Sequence, residues 1–149
     1  KEVRLKGAYY VKYASHETDG DGNITVVHCT YDPESRGGET PDGRKVKGTL
    51  HWVNANDCKT ATVRLYDRLF NVENPSDEEG VSSFADNLNP ESLVVLENCK
   101  LGHDTADAAV GETFQFMRQG YFCKDADSTD ENPVFNRTVA LKDSFVKKN

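Results

Sequence analysis

Ala8-Tyr9-Tyr10-Val11-Lys12-Tyr13, then Asp19-Gly20-Asp21-Gly22, then Ile24-Thr25-Val26-Val27-His28-Cys29-Thr30-Tyr31: this stretch decides the fold. Two runs rich in β-branched and aromatic residues flank a cluster of aspartate and glycine, the signature of a tight turn. Residues 8–31 therefore predict a β-hairpin. The turn has the look of a calcium loop, with Asp19, Asp21 and Asn23 as its first ligands. Such a loop needs glycine at its sixth position and a bidentate glutamate at its twelfth, where this chain has Ile24 and Thr30, so calcium is not expected.

The same period of two extends both ways from the hairpin. Upstream, Val3, Leu5 and Gly7 alternate with Arg4 and Lys6. Downstream, residues 32–44 form a loop rich in Gly, Pro, Asp and Glu. Lys45 to Val53 reads as a third strand, Asn54 to Asp57 as a short helical turn, and Thr60 to Tyr66 as a fourth strand in which Ala61, Val63 and Leu65 alternate with Thr62 and Arg64. Asn71 to Asn89 is polar and acidic and predicts a loop with one helical turn around Phe84. Strands follow at Leu93 to Leu96, 113–124 and 134–142. With no long amphipathic segment, the chain is expected to be all-β, a barrel or paired barrels with few short helical turns.

The chain has 149 residues, of which 36% are apolar and 29% charged, so the solvated surface is large relative to the core. No apolar run approaches the roughly 20 residues that span a bilayer, and no membrane partner is expected. No secretory leader is visible. The chain opens on Lys1-Glu2-Val3-Arg4 rather than methionine, which predicts a piece of a longer soluble protein. Cys29, Cys58, Cys99 and Cys123 lie at wide, irregular intervals without a Cys-x-x-Cys pair, against a structural zinc site. Cys29 and Cys123 fall inside strand-like runs, where a free cysteine acts as a small buried hydrophobe; reduced thiols in the cytoplasm are expected.

A net charge of −7 weighs against nucleic acid, whose phosphates supply most binding energy. The distribution weighs the other way. Lys1, Arg4, Lys6 and Lys12 cluster at the start, Arg44, Lys45 and Lys47 form a second basic group, and acidic residues gather elsewhere, as in Asp77-Glu78-Glu79 and Asp125, Asp127, Asp130 and Glu131. Such a molecule can present one basic face despite a negative total. The acidic runs read as solvated loops.

No catalytic constellation stands out. A Gly-x-Ser-x-Gly elbow and a Gly-x-x-x-x-Gly-Lys-Ser/Thr phosphate loop are both absent. His16, His28, His51 and His103 have no paired ligand spacing, no carboxylate pair is singled out, and Trp52 is the only tryptophan, thin for a carbohydrate platform. What remains are binding groups. Arg4 and Lys6, two residues apart on one strand face, would point outward about 7 Å apart if Val3 and Leu5 point inward, close to the spacing of adjacent nucleotide phosphates. Arg64 and Arg68 flank Tyr66-Asp67 and read as internal salt-bridge partners. In Phe114-Gln115-Phe116-Met117-Arg118-Gln119-Gly120 the apolar residues Phe114, Phe116 and Met117 would anchor a strand while Gln115 and Arg118 face out. An amide and a guanidinium suit the exposed edge of a nucleobase. A sugar or a protein surface could use them too.

Taken together, Glu2-Val3-Arg4-Leu5-Lys6-Gly7-Ala8-Tyr9, Cys29-Thr30-Tyr31-Asp32, Asp42-Gly43-Arg44-Lys45-Val46-Lys47-Gly48, Leu50-His51-Trp52-Val53, Val63-Arg64-Leu65-Tyr66-Asp67-Arg68-Leu69-Phe70, Asn89-Pro90-Glu91-Ser92-Leu93, Phe114-Gln115-Phe116, Gly120-Tyr121-Phe122-Cys123 and Val134-Phe135-Asn136-Arg137-Thr138-Val139 resemble the C-terminal region of the bacterial glutaminyl-tRNA synthetases, in the right order and over nearly the whole chain. Glutamyl-tRNA synthetases of archaeal and eukaryotic type share the architecture and are a near neighbour. The resemblance implies that residues 1–149 are an anticodon-binding region of proximal and distal β-barrels, similar to a ribosomal RNA-binding barrel. It implies a parent class I ligase that joins glutamine to its tRNA with ATP and magnesium in a catalytic domain absent from this chain, so the chain itself would be non-catalytic and need no cofactor. It implies the tRNA(Gln) anticodon loop and that catalytic domain as partners, a cytoplasmic setting and a monomer. By position, Arg4 and Lys6 match the basic pair near the first anticodon base, where the second member is often arginine; lysine lacks its bidentate fork. Gln115 matches a glutamine that reads the central uridine, and Arg118 a nearby arginine. Arg44, Lys45 and Lys47 would approach the RNA backbone. Residues for the third anticodon base would lie upstream. The competing readings are a β-barrel protein-interaction module and a carbohydrate-active all-β enzyme.

Overall fold

The computed structural model describes residues 1–76, 83–105 and 107–141. Nine strands occur among them: β1 (Glu2–Leu5), β2 (Tyr10–Thr18), β3 (Ile24–Asp32), β4 (Thr49–Leu50), β5 (Cys58–Tyr66), β6 (Leu93–Gly102), β7 (Thr113–Phe116), β8 (Gly120–Lys124) and β9 (Val134–Val139). Short 3-10 turns at Pro33–Gly38, Phe84–Asn87 and His103–Thr105 are the helical elements among the described residues. The all-β expectation holds, including the turn at Phe84. The chain divides into two compact units, Lys1–Trp52 and Val53–Asn149. Each contains one sheet, with ladder orders β3-β2-β1-β4 and β6-β5-β9-β8-β7.

The first unit is built around Tyr10. Its ring is 3% exposed. Its backbone N–H donates to the Ser35 hydroxyl at 2.8 Å and its phenol donates to the Gly38 carbonyl at 2.7 Å. Ser35, itself fully buried, donates on to the Asp32 carbonyl at 2.6 Å. These bonds fold the 33–38 segment back over the start of β2. The β2–β3 hairpin forms as expected. Asp19 closes its turn, its carboxylate accepting from the Asp21 and Asn23 amides and the Asn23 side chain; that hydrogen bonding, the Asn23 side chain foremost, holds its pKa below the usual range.

Beyond Val11 the two strands of the hairpin are exposed, and Cys29 is exposed rather than buried. β3 is the edge of its sheet, and no element among the described residues covers this stretch of it. The expected Lys45–Val53 strand shrinks to Thr49–Leu50. Its parallel partner β1 ends at Leu5, where Lys6 and Gly7 turn the chain. The Ala8 N–H bonds the Leu5 carbonyl at 3.0 Å, and Gly7 takes φ 72°, so Gly7 is a turn residue rather than the next member of the alternation.

The second unit carries the larger core. Ala61 and Val63 of β5, Leu101 of β6, Phe122 of β8 and Phe135 of β9 cluster with Ala108, and Leu65, Cys99, Phe114 and Phe116 pack against them. The alternation read along β5 is therefore real. Phe116 stacks on Phe122 with ring centroids 4.6 Å apart and lies 5.6 Å from Phe135, and Phe114 meets Phe135 edge-on at 6.1 Å. β6 pairs along β5 with a register shift between Ala61 and Val63, opposite Asn98, which adopts φ 58°, as a bulge requires. The strand expected over 113–124 is two strands joined by a turn. The last strand ends at Val139, and residue 142, like the acidic run 77–79, lies outside the described residues.

Candidate nucleic-acid interface

In the first unit, Arg4 and Lys6 do share a face. Their backbone N–H groups both point to the β4 segment, bonding Gly48 O at 2.8 Å and Leu50 O at 3.0 Å, and residues two apart with amides on one side carry side chains on one side. They are not equivalent. Arg4 is half-buried on β1; its Nε reaches Thr49 Oγ1 at 3.4 Å and its Nη1 reaches Gly38 O at 3.5 Å, contacts long enough to be weak. Lys6 is exposed and lies past the end of β1, its carbonyl accepting from the Trp52 indole at 3.0 Å. Arg4 also lines a recess of about 450 Å3 whose other walls include Tyr10, Glu39, Arg44 and Lys45.

Arg44 is not the freely solvated cation that its place in a basic run suggested. Its guanidinium pairs with Glu2 of β1 at 3.1 Å, with Asp42 at 2.8 Å and with Asp32 at the end of β3, and it lies 5.4 Å from the centre of the Tyr10 ring. It ties the 39–47 loop to the sheet. The guanidinium, with the Glu34 amide, holds the Asp32 carboxyl below its usual pKa, and the surrounding carboxylates raise that of Arg44 further. Lys45 and Lys47 remain exposed. Arg64 does pair internally, but with Asp125 at 3.7 Å and Asp127 at 2.9 Å, both distant in sequence, rather than with the neighbouring Asp67.

In the second unit, Gln115 and Arg118 are carried by the β7–β8 hairpin. β7 alternates: Phe114 and Phe116 pack on the core while Thr113 and Gln115 are exposed. The Gln119 N–H bonds the Phe116 carbonyl at 2.9 Å, and Arg118, at the third position of that turn, has φ 65°. Glycine or asparagine is the usual occupant there. Met117, read as a third apolar anchor, is 37% exposed and belongs to the turn. Gly120 follows because a Cβ there would meet the Val139 carbonyl oxygen at 2.5 Å. Both site residues are exposed, and among the described residues the Gln115 amide has no internal hydrogen bond. The structure thus brings Arg4 together with Lys6 and Gln115 together with Arg118, each pair within its own unit. Tyr121 was missed. It stands directly opposite Gln115 in the ladder, 41% exposed, and reading 113–124 as one strand hid that neighbour.

Among the described residues no three His, Cys, Asp or Glu side chains converge to hold a metal ion, and no helix is long and apolar enough to cross a membrane. The arrangement offers hydrogen-bond donors and acceptors on exposed strand faces.

Comparison with known proteins agrees. The chain is 52% identical over 151 residues to a glutamine–tRNA ligase of Alteromonas mediterranea, covering 99% of this chain and 26% of that one. It is 51% identical over 148 residues to the Vibrio parahaemolyticus glutamine–tRNA ligase (99% and 26%) and 52% identical over 145 residues to that of Stutzerimonas stutzeri (97% and 26%). The chain spans about a quarter of the length of these relatives. The family described as "tRNA synthetases class I (E and Q), anti-codon binding domain" matches residues 49–125, and on that match, with its all-β units and outward-facing polar side chains, the chain belongs to this family of anticodon-binding domains.

Proposed function

We propose that this chain is the anticodon-binding region of a glutamine–tRNA ligase, that it spans residues 1–149 as one functional piece, and that it reads the anticodon through Gln115 and Arg118 in one unit and Arg4 and Lys6 in the other. The observation that carries the reading is the β7–β8 hairpin. It rests on Phe114 and Phe116 and holds the Gln115 amide outward. Uracil presents an N3–H donor beside an O4 acceptor. A primary amide answers both at once, its carbonyl accepting from N3–H and its N–H donating to O4. Cytosine reverses that order, so the same amide rotamer leaves groups unpaired and costs about 1–3 kcal/mol. Arg118 adds a fork of donors from the adjoining turn, and Arg4 and Lys6 face the first anticodon nucleotide and its phosphates.

Glutamine activation, ATP and magnesium belong to a catalytic domain outside this chain. The residues described offer neither a phosphate-cradling loop nor a converging set of metal ligands, so no chemical step is assigned to them. A productive anticodon fit would act on that domain by favouring one docked geometry of the tRNA. The family covers glutamate and glutamine enzymes alike; near 50% identity to glutamine–tRNA ligases across the chain favours glutamine. A cytoplasmic, monomeric enzyme fits this reading.

Binding of anticodon stem-loops with a central uridine or a central cytidine tests it, in the complete ligase. Gln115→Ala lowers affinity for the uridine RNA about 5- to 100-fold and hardly changes the cytidine RNA. Equal affinities of wild type and variant for the uridine RNA remove the role assigned to Gln115.

A further inference from the structure

Tyr121 of β8 is paired in register with Gln115 of β7. Residues directly opposite in an antiparallel ladder project from the same face, with Cβ atoms about 4.5–5.5 Å apart. The neighbours on either side, Phe114 opposite Phe122 and Phe116 opposite Gly120, face the core, so the Gln115–Tyr121 pair faces away from it. Tyr121 is 41% exposed. Among the described residues its ring has no aromatic partner and its hydroxyl no hydrogen bond, although six other aromatic side chains of this unit are covered or paired: Phe70, Phe84, Phe114, Phe116, Phe122 and Phe135. On its far side Tyr121 pairs with Val139, which is also exposed. An aromatic ring thus stands beside a hydrogen-bonding amide on one rigid strand pair, with an arginine in the connecting turn.

We propose that Tyr121 is the stacking surface for the same unstacked base whose edge Gln115 reads. This rests on the anticodon reading above and adds a division of labour to it. An amide that meets the Watson–Crick edge lies near the plane of the base, which leaves the two faces of the ring to be covered. A phenol one strand away is at the right separation to cover one of them. Stacking is indifferent to base identity because every base has a π face. Gln115 therefore supplies discrimination and Tyr121 supplies affinity.

The experiment uses the complete ligase and anticodon stem-loops carrying uridine, cytidine, adenosine or an abasic nucleotide at the central position. Tyr121→Leu, which keeps apolar bulk without a ring, weakens binding of the three base-bearing RNAs by a similar factor of about ten. Tyr121→Phe stays within about two-fold of wild type, since the ring and not the hydroxyl carries the effect. With the abasic RNA, wild type and Tyr121→Leu bind alike, an outcome that a merely structural role for the ring does not produce. Wild-type affinity in Tyr121→Leu overturns the proposal, as does a penalty that persists on the abasic RNA or a loss in Tyr121→Phe equal to that in Tyr121→Leu. If Gln115→Ala selectively weakens the uridine RNA while Tyr121→Leu changes nothing, only the stacking role falls. If the wild-type ligase binds none of the stem-loops, the anticodon reading falls and the stacking role with it.

Discussion

Replacing Phe116 by alanine tests whether the aromatic cluster is what makes the Gln115 strand rigid. The ring is only half-buried, so the transfer contribution lost is near the lower end of the 1.5–3 kcal/mol that full burial provides, about 1.5 kcal/mol. Its two close ring contacts, 4.6 Å to Phe122 and 5.6 Å to Phe135, are worth about 0.5–1.5 kcal/mol each beyond area. The expected destabilisation is about 3 kcal/mol, within reach of a domain whose total is about 5–15 kcal/mol. Hydrogen exchange at the amides of Phe122 and Phe135 reads the second unit without interference from the first. A loss of 3 kcal/mol accelerates exchange through global opening roughly 150-fold. With a urea slope of about 1.5–2 kcal/mol/M, the unfolding midpoint falls by roughly 1.5–2 M. Phe116→Leu, which keeps most of the volume but loses the ring contacts, falls about half as far. A midpoint shift in Phe116→Ala below about 0.5 M would refute the argument, because the strand would then be held by its ladder hydrogen bonds alone.

The ion-pair hub and the exposed cation give two further expectations. Asp32 has a folded-state pKa depressed first by Arg44, so its contribution to stability is complete above the unfolded value of about 3.9 and disappears as pH falls below it; acid unfolding followed by Trp52 emission steepens below about pH 4, and Arg44→Gln flattens that dependence. Under the proposed function Lys6, exposed and beyond the end of β1, would act on phosphate as a point charge, so Lys6→Gln lowers the slope of log affinity against log salt by about 0.7 for all anticodon sequences equally, and an unchanged slope removes Lys6 from the RNA contact.

Period-two alternation was enough to find the hairpin of β2 and β3, the buried side of β5 and the aromatic anchor of β7, because those features depend on neighbours a few residues apart. What stayed hidden depends on partners far apart in sequence. Arg44 looked like a free cation because Glu2, 42 residues away, meets it only once β1 and the 39–47 loop are side by side. Cys29 sits in a convincing strand, but burial needs a covering layer, and β3 is an edge. The turn at 117–119 has no glycine or asparagine at its third position, so 113–124 read as continuous. In a continuous strand Gln115 and Tyr121 would lie about 20 Å apart; folding at Arg118 makes them cross-strand neighbours. One misread turn therefore concealed both the hairpin and the aromatic beside the Gln115 amide.

Arg118 itself argues that this turn is shaped for more than chain reversal. A residue with a Cβ in the left-handed region costs about 1–2 kcal/mol, and this chain places glycine in that region at Gly7, Gly22 and Gly43. At the β7–β8 turn the glycine stands two residues later, at Gly120, where the Val139 carbonyl leaves no room for a Cβ. That close approach packs β8 against β9, whose Phe122 and Phe135 share one core cluster. The left-handed position then falls to an arginine. Strained backbone of this kind persists where its surroundings over-determine it, and such positions cluster at binding and catalytic sites. Here the surroundings are the stacked phenylalanines underneath and the Gly120 contact alongside. The left-handed backbone fixes the direction in which the Arg118 side chain leaves the turn, which suits the recognition role proposed for it.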